Sequence, residues 1–366
     1  MKTVGIIAEC NPLHNGHTYL FSKARELAGA DYLVVVLSGD FVQRGEPALL
    51  PKHKRCEMLL KSGVDLVLEM PTIFATGSAE YFARCGVSIL HHLGCVDTLC
   101  FGSEDGSLSL LREKANAEEL AKDSPNNILG IAYLKALSHF QSSMEPLTIK
   151  REGAGYHDLE ENASYPSASA IRKACLSNPG VISSLPGLPD HVKDILSNPQ
   201  TTFLSLTSFD SLIGCHLQGI SYENLASIFD IYPNLADKIY KNQRLYMDAS
   251  QFVTCLKSKD IAHSHLQRAL LHMVLGYTKE DAEIAMHYDY APYARILGMR
   301  KSAKGLLHQI KKSASLPLIN KPAKAGKELP TDALSLLQKD FAASHIYSLL
   351  SYGKIVSEET ISPIVL

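Results

Sequence analysis

The run Tyr32–Leu37 (YLVVVL) carries no polar alternation. A strand of that kind is buried on both faces and belongs to a parallel sheet covered by helices. Four further short runs fit the same sheet: Val4–Ala8, Leu66–Met70, Thr98–Phe101 and Leu147–Lys150. Helical patterns lie between them, at Thr18–Ala28, Lys52–Ser62, Ser78–His92 and Gly106–Leu120. Strands separated by helices in this way predict βαβ crossovers and an α/β fold. A ligand then belongs at the carboxyl ends of the strands. The turns Glu9–His17, Ser38–Glu46 and Gly102–Glu104 all stand at such ends.

After Cys175 the texture changes. Asn178-Pro179-Gly180, Pro186-Gly187 and Pro189 interrupt the chain, as a linker or loop-rich junction does. Beyond it the patterns are helical, at Ser221–Phe229, Leu235–Met247, Gln251–Lys257, His263–Leu275, Lys279–His287, Ala303–Lys312 and Asp332–Leu350, with Ser315–Pro330 as an exposed loop. The expected organisation is a Rossmann-like domain over 1–175 and a mainly α-helical domain over 176–366, in keeping with the length of 366 residues.

The net charge of −2 is uninformative about nucleic acid, but its distribution is not. Arg295–Lys327 holds nine Lys/Arg and no Asp/Glu. Such a run suits phosphate neutralisation, with Tyr293 at its edge for stacking; the plainer reading is a solvated basic face. The eight cysteines form no C-x-x-C pair and read as small buried thiols of a reducing compartment. No apolar stretch reaches the ~20 residues of a membrane span, and the first apolar run, too short for a signal peptide, is followed by Glu9. A cytoplasmic protein is expected.

Cys10–His17 (CNPLHNGH) joins the first strand to the first helix. Pro12 and Asn15-Gly16 supply turn chemistry. His14 and His17, three apart at a helix start, can share one face. Free amides and a positive dipole end there suit phosphate, and two imidazoles can stabilise charge that builds at an α-phosphate. Other strings carry site chemistry too. In SGDFVQRGEPA (38–48), Asp40, Gln43 and Arg44 offer an acid, an amide and a fixed cation. Gly102 in FGSE permits close backbone approach. SPNNILG (124–130) starts a helix with Asn126 as a cap candidate. Arg151 opens the glycine-containing stretch that also holds His157 and Asp158, of which His157 reads as structural or substrate-side. SASAIR (167–172) reads as a Ser-capped helix whose start can still take an anion.

These strings together resemble the bacterial tRNA(Met) cytidine acetate ligases, and His14-Asn15-Gly16-His17 resembles the H-x-G-H signature of nucleotidyltransferases and class I aminoacyl-tRNA synthetases. The strong matches run from residue 4 to about 173. The resemblance implies a catalytic role for His14, His17 and Arg172. It implies ATP contacts over Ile7, Ala8, Glu9, Cys10, Asn11, Pro12, Leu13, His14, Asn15, Gly16, His17, Thr18, Tyr19 and Leu20, with Gly102, Asn126, Arg151, Ser167, Ser169 and Arg172. The asparagine contact falls on Asn126 or its duplicate Asn127. Asp40, Gln43 and Arg44 are expected on the acetate or tRNA side, and Arg268, Arg295, Arg300, Lys301 and Lys304 on tRNA. Implied ligands are ATP, acetate and elongator tRNA(Met), with Mg²⁺ carried by ATP rather than by dedicated protein ligands and with no obligate protein partner. The implied reaction forms acetyl-adenylate and then N4-acetylcytidine at the wobble position. Leu13 stands where the family has Phe, His53 where it has Trp, and the segment before Ser124 is short; these departures bear on tRNA docking. Two other readings stay open on residue chemistry: a small-molecule adenylyltransferase of coenzyme biosynthesis, and a non-catalytic RNA-binding module.

Overall fold

A computed structural model describes residues 1–116, 123–151, 167–258 and 261–366. The first half forms strands β1 (Thr3–Ala8), β2 (Tyr32–Ser38), a short antiparallel ribbon of β3 (Phe41–Val42) and β4 (Glu46–Pro47), then β5 (Leu66–Met70), β6 (Thr98–Ser103) and β7 (Glu145–Lys150). Helices α1 (Asn15–Ala28), α2 (Lys52–Lys61), α3 (Thr72–Ala75), α4 (Ala79–His92), α5 (Leu108–Asn116), α6 (Pro125–His139) and α7 (Ala168–Ser177) connect or follow them. All five strands expected from sequence are present, and neighbours among them pair in parallel.

Their spatial order is β5-β2-β1-β6-β7. The chain moves outward from β1 in one direction, then returns to build β6 and β7 on the other side. That reversal opens a crevice at the carboxyl ends of β1 and β6, where doubly wound sheets bind ligands. Alternate residues serve opposite faces. Leu33, Val35 and Leu37 pack with Phe21 and Ala24 of α1 and with α2, whereas Val34 and Val36 pack with α4 and the second half of the chain. Both faces are dry, which accounts for the absence of polar alternation in YLVVVL.

The second half is largely helical, from Asp190–Leu196 to the long helix Thr331–Tyr352. It also supplies strands that the sequence reading did not contain. β8 (Ala294–Met299) pairs antiparallel with β5, while β9 (Leu318–Ile319) and β10 (Ile364–Val365) pair with β8. The sheet therefore crosses the expected 175/176 boundary. Ser315–Pro330 is not simply an exposed loop: it holds β9, and Ile319, Pro322 and Ala325 are buried. Among the described residues no helix is long and apolar enough to cross a membrane.

A buried ionic cluster fastens the two halves. Lys52 Nζ lies 2.6 Å from Glu69 and 3.0 Å from Glu358, and bonds Ser344 Oγ at 2.8 Å. Arg295 bridges the same two carboxylates, at 2.9 and 2.6 Å. Beside it, Asp340 accepts hydrogen bonds from Tyr277, Tyr293 and the Thr72 N–H at 2.7–2.9 Å. Burial opposes the charge of Lys52, but Glu358 and Glu69 outweigh it and push its ammonium up.

Candidate active site

The crevice between β1 and β6 holds a cleft of about 380 Å³. One wall is the end of β1 and the start of α1, from Ile7 to Asn11 with His14, Gly16, His17, Tyr19 and Leu20. Opposite stand Phe101 and Gly102 of β6, Glu104 just after it, and Asn126, Leu129 and Tyr133 of α6. Gln43, Arg44, Arg151, Ser167, Ser169 and Arg172 complete the lining, and Glu46 of the β3–β4 ribbon stands 3.4 Å from Arg172.

The histidine pair is fixed by helix capping. His14, in extended backbone at the N-cap, accepts the Gly16 N–H on its Nδ1 at 3.1 Å. The His14 N–H in turn donates to Nδ1 of His17 at 3.2 Å, completing a capping box built from imidazoles. Each ring uses Nδ1 as an acceptor, so a neutral ring carries its proton on Nε2. Burial holds both neutral, with Arg151 adding to the effect: His14 is pushed down to about 3 and His17 well below its ordinary value. Gly16 is required because a Cβ there would meet the His14 ring at 2.9 Å.

The expectation that the first-turn amides of α1 take phosphate is corrected. The Asn15 N–H donates to the Gly187 carbonyl at 2.7 Å, the Gly16 N–H to His14 Nδ1, and the His17 N–H to the His14 carbonyl at 2.8 Å. Two imidazole Nε2–H groups are what this helix start offers an anion. The amides of α7 differ. Ser167 Oγ accepts the Ala170 N–H at 3.2 Å, and the N–H groups of Ala168 and Ser169 have no partner among the described residues. Arg172 stands over them, with Nη1 on the Asn11 carbonyl at 2.8 Å and Nη2 3.3 Å from Ser169 Oγ. A dipole end, two amides and a guanidinium suit a phosphate chain.

On the far wall the two adjacent asparagines part company. Asn126 Nδ2 donates to Glu104 at 2.6 Å, its Oδ1 accepts from Arg151 at 3.2 Å, and the residue lines the cleft. Asn127 is buried, its Oδ1 accepting the N–H groups of Glu104 and Asp105. Burial pushes Glu104 up, but hydrogen bonds from Asn126 and Ser124 outweigh it and hold the carboxyl below its usual range. Neither asparagine caps the helix; Ser124 occupies the N-cap.

Several expected contacts lie elsewhere. Pro12, Leu13, Asn15 and Thr18 do not line the cleft, and Leu13 is fully buried. Asp40 is buried, accepting the Lys52 N–H at 2.7 Å. Arg268 pairs with Asp230 at 2.9 Å. Arg295 is buried between Glu69 and Glu358, and Tyr293 is buried on Asp340, so neither reaches a solvated RNA. Arg300, Lys301 and Lys304 are exposed but sit at the amino ends of the parallel strands. The Arg300 N–H bonds the Asp65 carbonyl just before β5, because β8 runs antiparallel to it. A six-residue strand, roughly 20 Å at 3.3 Å per residue, separates them from the cleft. His157 and Asp158 lie outside the described residues. Sequence reasoning missed Phe82, Leu129, Tyr133 and Ile149, which supply apolar lining; helical position i, i+4 on α6 was the available signal for Leu129 and Tyr133.

A family model described as HIGH nucleotidyl transferase matches residues 1–122 and 111–360. The chain is 36% identical over 393 residues to the tRNA(Met) cytidine acetate ligase of Thermoanaerobacter sp. (strain X514), covering 95% of each. It is 34% identical over 414 residues to the protein of that name from Clostridium perfringens (strain ATCC 13124), covering 100% of each. Among solved structures, Thermotoga maritima TmcAL bound with alpha-thio ATP matches with a TM-score of 0.89 and 28% identity over 100% of both chains. The apo form of that protein matches with a TM-score of 0.91.

Proposed function

The chain belongs to the HIGH nucleotidyl transferase family and, within it, to the tRNA(Met) cytidine acetate ligases, and from that premise we propose that it joins acetate to the wobble cytidine of elongator tRNA(Met) at the expense of ATP. The observation that carries the reading is the pair of neutral imidazoles at the crevice between β1 and β6.

ATP lies in the cleft with its base against the apolar lining of Phe101, Leu129 and Tyr133. Its phosphates run past the Nε2–H groups of His14 and His17 towards Arg151, Arg172 and the start of α7. An acetate oxygen attacks the α-phosphorus, the bond to the β-phosphate oxygen breaks, and pyrophosphate leaves. Fixed donors stabilise the charge that develops, and no protein nucleophile is needed. The cytidine amine then attacks the acetyl carbon and AMP leaves. Gln43 and Arg44, on the ribbon turn that lines the cleft, are assigned to the acetate and tRNA side. Among the described residues no group of three or more His, Cys, Asp or Glu is placed to hold a metal. Mg²⁺ is read as a companion of the triphosphate, and no step here is routed through it. A tRNA substrate assigns the protein to the cytoplasm.

The test is mass spectrometry of tRNA nucleosides after incubation with ATP, acetate and unmodified tRNA(Met). N4-acetylcytidine that disappears with His17→Ala is the expected result. Pyrophosphate exchange without any acetylated nucleoside would sink the reading.

A further inference from the structure

A cleft that takes a triphosphate and an acetate has to attract two anions, yet Glu9 places a carboxylate in its wall. The side chain is firmly held. Its Oε1 accepts the Gln43 N–H at 2.7 Å, and Arg55 holds its main-chain carbonyl at 2.7 Å. The second oxygen, Oε2, accepts no hydrogen bond among the described residues. A carboxylate fixed by one oxygen, with the other in reach of the cleft, disfavours anion binding and suits the acceptance of a proton.

The second half-reaction produces such a proton, and among the described residues few other groups in the cleft can take it. His14 and His17 have Nδ1 occupied by backbone N–H donors and Nε2 protonated, so neither ring presents a lone pair. Glu104 is saturated by Ser124, Asn126 and the Asn127 N–H. Tyr133 is held protonated, first by burial and then by Glu9 itself. Glu46 pairs with Arg172 at 3.4 Å. Glu9 is left. Burial raises its carboxyl, opposed by the Gln43 N–H and by Arg172 and reinforced by Glu46, which makes it a better base than an exposed carboxylate.

Resting on the acetate-ligase reading, we propose that Glu9 is the proton acceptor for acetyl transfer. The cytidine amine nitrogen forms its bond to the acetyl carbon. The bond from that carbon to the adenylate oxygen breaks, and its electron pair leaves with AMP. The proton of the attacking nitrogen passes to Oε2 of Glu9 and from there to water. Activation of acetate needs no such base, because acetate attacks as an anion. The role of Glu9 is thus confined to one of two separable steps.

The experiment measures acetate-dependent ATP–pyrophosphate exchange, and separately tRNA(Met) acetylation from synthetic acetyl-adenylate, in the wild type, Glu9→Gln and Glu9→Asp. The expected result is that Glu9→Gln lowers acetylation about 100-fold more than exchange, within the usual range for general-base catalysis, and that Glu9→Asp recovers part of the loss. Equal losses in both steps would assign Glu9 to nucleotide binding or wall structure and overturn the proposal. Acetylation by Glu9→Gln at the wild-type rate would overturn it alone. A wild type that exchanges pyrophosphate but never acetylates tRNA(Met) would overturn the ligase reading and this inference together.

Discussion

Lys52 Nζ stands 3.0 Å from a carboxylate oxygen of Glu358, in a site that excludes water from both side chains. Removing one partner of a buried ion pair leaves an uncompensated charge and costs about 3–5 kcal/mol. Lys52→Met and Glu358→Gln are each expected to lower the urea midpoint strongly. Added salt should change the wild-type midpoint little, since buried pairs are weakly screened. Equal stability of either variant and the wild type would show the cluster to be dispensable.

His17→Asn keeps an acceptor near the position of Nδ1 and removes the Nε2–H. Loss of one preorganised donor costs about 10²–10³ in rate. Pyrophosphate exchange should fall by that factor with the melting temperature nearly unchanged. His17→Ala also removes the cap acceptor and should lose about 1 kcal/mol of stability as well. A His17→Asn protein with wild-type exchange would remove His17 from the chemistry.

His14 gives stability a pH dependence of known sign. Its folded value is pushed down to about 3 by burial and by Arg151, whereas an unfolded histidine titrates near about 6.5. Between those values the unfolded chain binds the extra proton, so stability rises with pH. The contribution is complete above about pH 6.5 and is lost as pH falls towards the folded value, at up to ~1.4 kcal/mol per pH unit. Thermal melts from pH 7 to 5 should fall more steeply for the wild type than for His14→Asn. Parallel slopes would mean that His14 is not held neutral.

Asn126 and Asn127 are adjacent in sequence and opposite in consequence. Asn126→Ala should raise the KM for ATP about tenfold with little change in melting temperature, as expected for one charge-assisted contact of about 1.5 kcal/mol. Asn127→Ala strands the Glu104 and Asp105 N–H groups and should cost about 1–3 kcal/mol of stability. Reversal of the two phenotypes would reverse the register.

Gly45 has φ +75°, and a Cβ there would lie 2.3 Å from the Arg268 backbone nitrogen. Gly45→Ala is expected to displace the helix His263–Leu275 from the loop carrying Gln43 and Arg44, lowering the midpoint by at least about 1 kcal/mol. A variant of unchanged stability would show that this contact can relax freely.

The five parallel strands β1, β2, β5, β6 and β7 and the histidine turn were legible because their signals are local: apolar runs of strand length, and a motif whose residues cap their own helix. β8 was not. Its residues ARILGM are buried on both faces, and a short apolar run inside a helical region has no period that separates strand from helix. Arg295 read as a surface cation because its partner Glu69 lies 226 residues away. The occupied amides of α1 were equally hidden, since the acceptor for Asn15 is Gly187, within the junction that reads as a linker. Local chemistry was visible in the sequence; satisfaction by distant groups was not.

The antiparallel seat of β8 on β5 also governs synthesis on the ribosome. Residues 1–175 contain the histidine turn, Arg172 and every parallel pairing between β1 and β7. They leave the outer edge of β5 bare until residue 299 has emerged. For that interval the nascent chain displays an unpaired strand edge, apolar but for Glu69, the kind of template that recruits other chains. The half that lines the cleft is thus made first but stays sticky until its last neighbour arrives, which makes chaperone demand during translation a built-in property of this topology.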